Sequence, residues 1–451
     1  MRDNQSEEKS LRIKDNTQKE KVYFKEKIPN LMAKIADKKL SQLEQDGVFV
    51  FPPLIKDMED ITEEQTILRT NPKNKDEFCT QNVMGFLGCG DERLIIESRF
   101  AEIGNDHFLH YLLIKVLAFP TLVDLRSDAD NGAQIFNFLL FLFPYYLKTA
   151  LRKGLFKKYI HHRYNDENVR GIIDIARHIE KNTPFVGKIA YSQREFSYDN
   201  YLMELVRHTI EFIKRKLCGN TLLVRVKDEI KLVVQATPRY EYHDRQKLIE
   251  INKKNPVRHA YFREYRALQR LCLLILQHQK HQIGSGPRQI YGILFDGSWL
   301  WEEYVNTLIR DIFHHPRNKA SEGVQYLFDG RIGKIYPDFI SHGINPRIIA
   351  DAKYKPQENI GIGNKDYLQL LAYMFRFDAQ KGYYLYPDNK ESGDICLWMN
   401  KGSTYEGKVT RRNDICVIKH GLKIPASTGS YKAFAEEMKA REEDFTQALR
   451  G

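Results

Sequence analysis

Several common sequence signatures are missing from this chain of 451 residues. Its six cysteines are scattered and form no C-x-x-C motif, which argues against a zinc ribbon or an iron–sulfur site. No G-x-x-x-x-G-K-[ST] motif occurs, since Gly187-Lys188, Gly333-Lys334 and Gly407-Lys408 are each followed by Ile or Val. We therefore expect no nucleotide binding or hydrolysis by a Walker site of this chain.

Signatures of secretion and of membrane insertion are lacking as well. The first residues are charged and contain no apolar core, so we expect no signal peptide. The most apolar stretch, Ile135 to Phe143, is too short to span a bilayer and is followed by Pro144. The sequence therefore predicts a cytoplasmic protein with reduced thiols and no membrane partner.

The composition is that of a folded, basic protein. Hydrophobic residues make up 42% and aromatic residues 12%, which is enough for two or three domains with real cores. The formal net charge is +11 and the pI is about 9.1. An excess of positive charge favours binding to a polyanion, most often a nucleic acid. A basic protein can also be soluble without such a partner.

Two short predicted strands carry the most informative side chains. The first, residues 336–340, places Asp338 directly after a proline. The second, residues 347–354, carries Asp351 and Lys353 two positions apart. Residues two apart on a strand point to the same face, so pairing of the two strands would bring two carboxylates and one ammonium together.

This trio suits the hydrolysis of a phosphodiester. Carboxylate oxygens hold Mg²⁺, which needs only one or two protein carboxylates beside water and phosphate oxygens. A neighbouring lysine can orient or deprotonate the attacking water, or neutralise charge in the transition state. The all-oxygen ligand set predicts Mg²⁺, with Mn²⁺ as a substitute and no histidine ligand. The alternative is a structural ion pair at the end of a buried strand.

Two predicted helices flank the pair. The first extends from about residue 299 to 314 and carries Glu302. The second extends from about residue 365 to 377 and places Gln369 and Tyr373 on one face at i and i+4. Between and after these helices we expect four strands, at about residues 324–329, 335–341, 347–353 and 382–386.

The resulting order of helix, three strands, helix and strand resembles the core of the PD-(D/E)xK nuclease superfamily. The resemblance makes Asp338 the first acid and Asp351 and Lys353 the second acid and the lysine. Gln369 and Tyr373 look like the Q-x-x-x-Y motif of the RecB-like branch, although the missing C-x-x-C separates this chain from RecB-like nucleases that carry a cluster.

A more specific resemblance is to McrC, the nuclease subunit of the McrBC restriction systems, which cut DNA containing modified cytosine. It rests on residues 294–305 before the nuclease core and on residues 169–174 and 196–202 further upstream. In the family's pattern the helix glutamate follows an aromatic residue, which selects Glu302 over Glu303 as a catalytic and metal-binding residue.

The McrC resemblance implies a partner as well as an activity. It implies Mg²⁺-dependent cleavage of 5-methylcytosine DNA in a restriction system that serves defence. It also implies that the N-terminal half of the chain docks into a hexameric AAA+ GTPase ring, of the McrB type, and stimulates it. The specific resemblance covers roughly residues 160–390.

The predicted fold is α/β, with a C-terminal PD-(D/E)xK domain (an αβββαβ mixed sheet) behind an α+β N-terminal half. We expect a polar N-terminal extension at residues 1–45, partly helical from Tyr23 to Leu43 and otherwise mostly solvated, and a small β-rich module at 46–105. A mainly helical middle region for partner docking follows at 106–285, and the nuclease domain at 286–451. Within the last of these, strands near residues 394–399 and 413–419 should extend the sheet, and a helix at 431–449 should pack on the domain.

One residue outside the core has two candidate roles. Asn200 can cap a helix that begins near Tyr201, because its side-chain oxygen accepts from free backbone N–H groups. It could alternatively contact a partner or a nucleotide, and we favour the cap. The basic segment at 157–178 contains neighbouring histidines without acids or cysteines at ligand spacing, so a basic surface is a better interpretation than a metal site.

Two other functions compete with the McrC-like nuclease. One is a stand-alone PD-(D/E)xK nuclease of repair or recombination, and the other is a DNA-binding or assembly protein on an inactive nuclease fold. Both acids and the lysine of the nuclease motif are present, which argues against a nuclease fold without activity. Dependence on a separate NTPase would distinguish the McrC-like nuclease from the stand-alone enzyme.

Overall fold

The computed structural model describes most of the chain. The described residues are 9–16, 20–21, 24–46, 48–51, 66–71, 74–101, 107–117, 131–216, 219–281, 290–316, 324–343, 347–355, 362–390, 393–401, 409–426 and 428–450. The chain divides into two compact units. Unit 1 contains residues 1–119 and 286–451, and unit 2 contains residues 120–285.

The elements are named here in chain order. The first part of unit 1 contains β1 (Lys9–Lys14), β2 (Glu20–Lys21), α1 (Phe24–Lys27), α2 (Pro29–Ile35), α3 (Leu40–Gln45), β3 (Val48–Phe51), β4 (Leu68–Asn71), β5 (Asn74–Thr80), β6 (Val83–Cys89), β7 (Glu92–Glu97) and α4 (His107–Leu117). Unit 2 contains α5 (Asn131–Leu151), β8 (Lys158–Asp166), β9 (Ile172–Ile173), α6 (Ile175–Lys181), β10 (Ile189–Ser197), α7 (Tyr201–Lys214), α8 (Gly219–Leu223), α9 (Lys227–Ala236), α10 (Arg245–Lys254) and α11 (Arg263–His281).

The second part of unit 1 contains β11 (Tyr291–Asp296), α12 (Gly297–Ile309), β12 (Phe313–His314), β13 (Gln325–Phe328), β14 (Ile332–Ile335), β15 (Phe339–Ser341), β16 (Ile348–Ala352), α13 (Asn364–Arg376), β17 (Lys381–Asp388), β18 (Ile395–Lys401), β19 (Thr410–Lys423) and α14 (Tyr431–Arg450). These elements make a mixed α/β architecture whose sheets contain both parallel and antiparallel strands.

A five-stranded sheet in unit 1 joins distant parts of the sequence. Its strand order is β1-β7-β6-β11-β3, with β1 parallel to β7 and β11 parallel to β3. All seven residues of β6 are buried, which suits its central position. Strand β11 belongs by sequence to the segment predicted as the nuclease domain, yet it hydrogen-bonds to β6 and β3 of the segment predicted as a separate β-rich module.

The N-terminal segment is folded where the structure describes it. Ile13, Ile28, Leu31 and Ile35 are buried in the core of the five-stranded sheet. The buried Glu92 carboxylate accepts a hydrogen bond from the Leu31 amide at 2.7 Å. These contacts correct the expectation of a solvated extension at residues 1–45, because the apolar side chains among its charges recur at helical spacing on one face.

A six-stranded mixed sheet forms the other part of unit 1. Its strand order is β12-β15-β16-β17-β19-β18. Strands β16, β17 and β19 are parallel neighbours, and β15 and β18 pair antiparallel to β16 and β19. Strands β18 and β19 extend the sheet as predicted, and α14 buries Phe434, Met438, Phe445 and Leu449.

Two predictions for this part of unit 1 need correction. The strand expected at 324–329 is β13, but it pairs only with β14 in a separate two-stranded sheet. Gly330, with φ of 63°, reverses the chain between them. The helix expected to reach residue 314 ends at Ile309, and Phe313 with His314 instead forms β12, paired with β15.

Unit 2 combines helices with a three-stranded antiparallel sheet of order β8-β10-β9, so the mainly helical prediction for 106–285 missed these strands. Asn200 begins α7 as predicted: its side-chain oxygen accepts from the amides of Leu202 and Met203, each at 3.2 Å. Nine side chains of α7 are buried, which makes it a core helix of this unit. Among the described helices of the chain, none is long and apolar enough to cross a membrane.

Candidate active site

Asp338 and Asp351 lie at neighbouring strand ends in unit 1. Asp351 is the fourth residue of β16 and is 2% exposed. Asp338 precedes β15, and its Oδ2 accepts a hydrogen bond from the Ala352 amide at 2.9 Å. The antiparallel register, with Phe339 opposite Ala350, carries Asp338 to the end of β16.

Lys353 follows β16 directly and turns back towards Asp351. Its Nζ lies 2.7 Å from Asp351 Oδ2, and the lysine side chain is 16% exposed. The Lys353 amide donates to the Leu385 carbonyl on β17 at 2.9 Å, which extends the parallel pairing past the strand end. The Trp301 indole on α12 donates to the same carbonyl at 3.0 Å. The sheet and α12 thus fix the backbone that carries the lysine.

Gln369 and Tyr373 approach this lysine from α13. Lys353 Nζ lies 3.4 Å from Gln369 Oε1. The Gln369 amide donates to the Tyr373 hydroxyl at 2.7 Å, and Tyr373 is buried. The i, i+4 spacing predicted from the sequence therefore appears as a direct hydrogen bond that orients the glutamine towards the lysine.

Asp366 is a second acidic neighbour of the lysine that the sequence did not single out. Its Oδ1 lies 3.5 Å from Lys353 Nζ, and its Oδ2 lies 3.0 Å from Lys355 Nζ. Burial opposes its charge, but the Gly363 amide and the two lysines outweigh burial and lower its pKa. The sequence feature that could have indicated Asp366 is its position in the first turn of a helix, where a carboxylate can accept from a free backbone N–H.

Glu302 and an unpredicted histidine lie on the α12 side of the site. His315 Nδ1 donates to the Asp338 carbonyl at 2.8 Å. Its Nε2 lies 3.7 Å from Glu302 Oε1 and 3.9 Å from Glu303 Oε1. Glu302 is the more buried glutamate, with 17% of its side chain exposed against 34% for Glu303. The structure thus brings a histidine to a place where the sequence predicted none.

The pKa of His315 is raised. Burial opposes its charge, but the nearby carboxylates of Glu303 and Glu302 and the hydrogen bond to the Asp338 carbonyl outweigh burial. A stacked contact with Phe339, at 4.9 Å between ring centroids, holds the imidazole in place. The signal that could have found it is the pair His314-His315 directly after the helix that carries Glu302.

Unfavourable negative charge accumulates between the two aspartates. Burial, followed by the charges of Glu302 and Asp351, raises the pKa of Asp338 well above its usual range. Burial also raises the pKa of Asp351, although the adjacent Lys353 ammonium opposes this. Burial alone would lower the pKa of Lys353, but the charges of Asp351 and Asp338 raise it, so this lysine is a cation at neutral pH.

The acidic site is compatible with a divalent cation. A cation beside Asp338 and Asp351 would offset both the burial and the neighbouring negative charge that raise their pKa values. Within the described residues, no three His, Cys, Asp or Glu side chains are arranged to hold a metal by themselves. Mg²⁺ does not need three, because it keeps several waters and binds substrate phosphate oxygens. The donor set therefore fits Mg²⁺ better than a metal that demands a complete protein cage.

The comparisons with known proteins agree with the resemblance seen in the sequence. A family model described as "McrBC 5-methylcytosine restriction system component" matches residues 79–387. No curated protein matches the chain.

Two solved structures from Thermococcus gammatolerans are similar to this chain at 14% identity. The first is a refined half-complex from a tetradecameric assembly of McrB AAA+ hexamers with bound McrC; the likeness covers 96% of this chain and 99% of that chain, with a TM-score of 0.44. The second is a cryo-EM structure of the McrBC complex, with 67% and 87% covered and a TM-score of 0.30. The family model matches well over half of the sequence, and the chain therefore belongs to the McrBC family of restriction system components.

Proposed function

We propose that this protein is the nuclease subunit of an McrBC-type restriction system and cuts modified DNA with Mg²⁺ at a PD-(D/E)xK site. The observation that carries the proposal is the contact of 2.7 Å between Lys353 Nζ and Asp351 Oδ2, next to Asp338 on the Ala352 amide. The buried Asp351, the half-buried Asp338 and one lysine at adjoining strand ends form a phosphodiesterase site rather than an isolated ion pair, because Glu302 and Gln369 converge on them from two helices.

Asp338 and Asp351 would hold the metal in this proposal, with Glu302 close enough to influence Asp338 electrostatically. When bound, Mg²⁺ supplies polarisation of the phosphoryl oxygens and a water that ionises more readily. The remaining steps belong to side chains of the chain itself.

Lys353 acts as a fixed positive charge. Its pKa is raised by Asp351 and Asp338, so it neutralises charge that develops on the phosphate instead of accepting a proton in this state. Gln369 Oε1, held by Tyr373, keeps the ammonium directed at the site. Asp366 provides a second anchor on the far side of the lysine. Of the roles considered for the lysine, the electrostatics favour charge neutralisation and water orientation over general base catalysis.

The second part of the proposal is that a separate NTPase subunit hydrolyses the nucleotide while this chain cuts the DNA. The sequence contains no phosphate-binding loop of its own, and the family is that of a multi-component restriction system. We assign the contact with a McrB-like AAA+ GTPase ring to unit 2. There Ile172, Ile175, Phe185 and Val186 are each more than 60% exposed. Exposed apolar side chains this close in sequence are typical of a protein-binding surface.

Replacing Asp351 by Ala tests the nuclease. Cleavage of 5-methylcytosine DNA in the presence of the GTPase partner and Mg²⁺ should fall by on the order of 10²–10³-fold or more, since the change removes a metal ligand. Stimulation of GTP hydrolysis should remain. Excess EDTA should stop the wild-type enzyme, and added Mn²⁺ should restore it. Wild-type cutting by Asp351→Ala, or full activity in EDTA, would refute the assignment.

The double change Ile172→Asp and Ile175→Asp tests the partner surface. Both side chains are exposed, at 80% and 69%, so the fold should tolerate the change. Co-purification with the GTPase and stimulation of its turnover should both be lost. Phe375→Asp is the matched control, because Phe375 in unit 1 is 89% exposed and should leave the partner contact intact. Rapid cutting of plain DNA by the chain alone, with no nucleotide, would instead indicate a stand-alone nuclease.

A further inference from the structure

Tyr354, the residue directly after Lys353, is held by side chains of the five-stranded sheet and of the segment that follows β7. Tyr354 is 2% exposed, and its hydroxyl lies 2.8 Å from Ser98 Oγ and 3.3 Å from Met84 Sδ. The Arg99 guanidinium lies over its ring, 4.6 Å from the centroid. Arg99 Nη2 also donates to the Tyr354 carbonyl at 3.1 Å. Both the ring and the backbone of Tyr354 are therefore fixed by one arginine.

Arg99 is itself fixed by a buried carboxylate. Its Nη2 lies 3.2 Å from Asp15 Oδ2, and its amide donates to Asp15 Oδ1 at 2.6 Å. Asp15 is fully buried at the end of β1, where its amide donates to the Glu97 carbonyl at 2.9 Å. The parallel pairing of β1 with β7 thus delivers the carboxylate to the arginine.

The same guanidinium reaches the start of α12. Arg99 Nη2 donates to Asn82 Oδ1 at 2.5 Å, and the Asn82 carbonyl accepts from the Gly297 amide at 2.9 Å. Gly297 is the first residue of the helix that carries Glu302. A Cβ at Gly297 would lie 2.8 Å from the Tyr354 ring, so only glycine allows the helix to begin this close. One arginine therefore links the end of β16 with the beginning of α12.

We propose that the Asp15–Arg99 ion pair positions the active site: it holds Lys353 and Asp351 at a fixed spacing from Glu302. The inference rests on the proposed function. Arg99 touches none of these three side chains directly, so it is a positioning residue. A guanidinium suits this task because its planar face lies over the Tyr354 ring while its Nη2 reaches the Asp15 carboxylate, Asn82 Oδ1 and the Tyr354 carbonyl, whereas an ammonium has no planar face to stack. A buried ion pair is weak evidence for stability and has a better attested use in fixing one arrangement over others.

The double variant Asp15→Asn with Arg99→Met removes both charges together, so no buried charge is left unpaired. With the intact chain and its GTPase partner, turnover at saturating DNA should fall by about 10- to 100-fold, the range expected for a displacement near 1 Å. The Mg²⁺ concentration for half-maximal cleavage should rise, while stimulation of GTP hydrolysis stays at the wild-type level. If the Asp15–Arg99 ion pair only stabilised the fold, the folded molecules of the variant would keep the wild-type Mg²⁺ dependence of cleavage.

Arg12→Ala is the matched control. It breaks another ion pair of the same sheet, between Arg12 Nη1 and Glu97 Oε1 at 2.8 Å, without touching Tyr354. Its turnover and Mg²⁺ dependence should match the wild type. If the double variant does not fold, Arg99→Lys decides, since it keeps the charge beside Asp15 but loses the planar group that lies over the Tyr354 ring.

Four outcomes are informative. A fall in turnover with a raised Mg²⁺ requirement in the Arg99 variants alone supports the positioning role. Wild-type turnover and Mg²⁺ dependence in these variants, with Asp351→Ala inactive, would overturn this inference and leave the proposed function standing. An equal loss in Arg12→Ala would overturn it too, because the effect would then be a general weakening of the sheet. Cutting by Asp351→Ala would remove the proposed function and this inference with it.

Discussion

The two units of this protein differ in their most prominent features, which are buried ion pairs in unit 1 and a group of exposed apolar side chains at residues 172–186 in unit 2. Unit 1 buries charge: Asp15, Asp351 and Glu442 are all less than 10% exposed, and each has a cationic partner. Unit 2 instead exposes apolar surface, as at Ile172 and Phe185. A buried charge needs a fixed partner, which gives a rigid geometry suited to chemistry. Exposed apolar surface gives no such geometry but gains free energy when a partner covers it.

Glu442 shows how far this burial of charge extends in unit 1. Its Oε1 accepts from the hydroxyls of Tyr111 and Tyr304, each at 2.7 Å, and its Oε2 lies 2.9 Å from Lys115. These contacts connect α14 and α4 to α12 at Tyr304, which lies two residues after Glu302. The helix that carries the predicted glutamate is therefore anchored along its length by buried polar contacts.

The largest effect should follow from Lys353→Arg. The longer, planar guanidinium cannot keep the ammonium's contact with Asp351 and its position beside Gln369. We expect cleavage to fall by on the order of 10²–10³-fold, with GTPase stimulation unchanged. Lys381→Arg, an exposed lysine at the start of β17, provides the control and should cut normally. Loss of GTPase stimulation in Lys353→Arg would show that chemistry and partner contact are not divided between the units as proposed.

The next prediction concerns the pH dependence of stability, which should have opposite signs in the two units. His208 in unit 2 is fully buried, and neither of its ring nitrogens has a hydrogen-bond partner among the described residues. Burial, helped by Arg245, lowers its pKa from 6.5 to about 4. Between these values the unfolded chain binds more protons, so unit 2 should lose up to about 3 kcal/mol as the pH falls.

Asp15 in unit 1 responds in the other direction. Burial raises its pKa from 3.8 to about 6, so the folded state binds more protons between these values. Its contribution to stability therefore increases as the pH falls through 6, by a free energy of the same order. Hydrogen exchange at pH 7 and pH 5 can follow each unit separately. His208→Phe should abolish the acid-induced loss of protection in unit 2, and Asp15→Asn should remove only the response of unit 1. A loss in unit 2 that persists in His208→Phe would exclude this histidine as the cause.

Sequence reasoning succeeded where the pattern is local. Elements α12, α13 and β17 were placed within a few residues because their apolar periodicity lies within one segment. Pairing of the two strands across a short connection was predicted, and it carries Asp338 to the end of β16, where it bonds the Ala352 amide. The five-stranded sheet was not predicted, because β1 pairs with residues about 80 positions away and β11 with residues about 200 positions away.

Side chains that approach the site from distant segments were missed for the same reason. Arg99 follows β7 of the five-stranded sheet and Tyr354 follows β16 of the six-stranded sheet, and no spacing in the sequence encodes their contact. His315 was missed although it lies close by in the sequence, because the helix was expected to continue to residue 314. Its early end at Ile309 frees the chain to form β12 and turn the imidazole towards Asp338.

A moderate effect on activity is expected from Gln369→Ala. The change removes the amide that lies 3.4 Å from Lys353 Nζ and bonds Tyr373, without touching either aspartate. Residues that orient a metal-site neighbour cost about 10- to 100-fold when removed, so cleavage should fall within that range. Leu368→Ala, at the neighbouring and 70% exposed position of α13, should cut like the wild type. Complete loss in Gln369→Ala would mean that this glutamine contacts DNA or metal directly.

The smallest effect should come from Asn200 in unit 2, and it tests whether that residue is structural. Asn200 is 1% exposed; its oxygen caps α7 and its Nδ2 donates to the Phe156 carbonyl at 2.9 Å. Asn200→Ala should lower the free energy of unfolding by about 1–2 kcal/mol, the usual value of a cap with a further buried bond. Asn200→Asp keeps the acceptor for the helix amides but sets a buried carboxylate oxygen against the carbonyls of Phe156, Ser197 and Tyr198, so its loss should be larger than that of Asn200→Ala. If urea unfolding shows this order while GTPase stimulation stays constant at equal folded protein, the cap is the whole role of Asn200. A loss of stimulation in Asn200→Asp, with stability intact, would instead extend the partner surface of unit 2 to the start of α7.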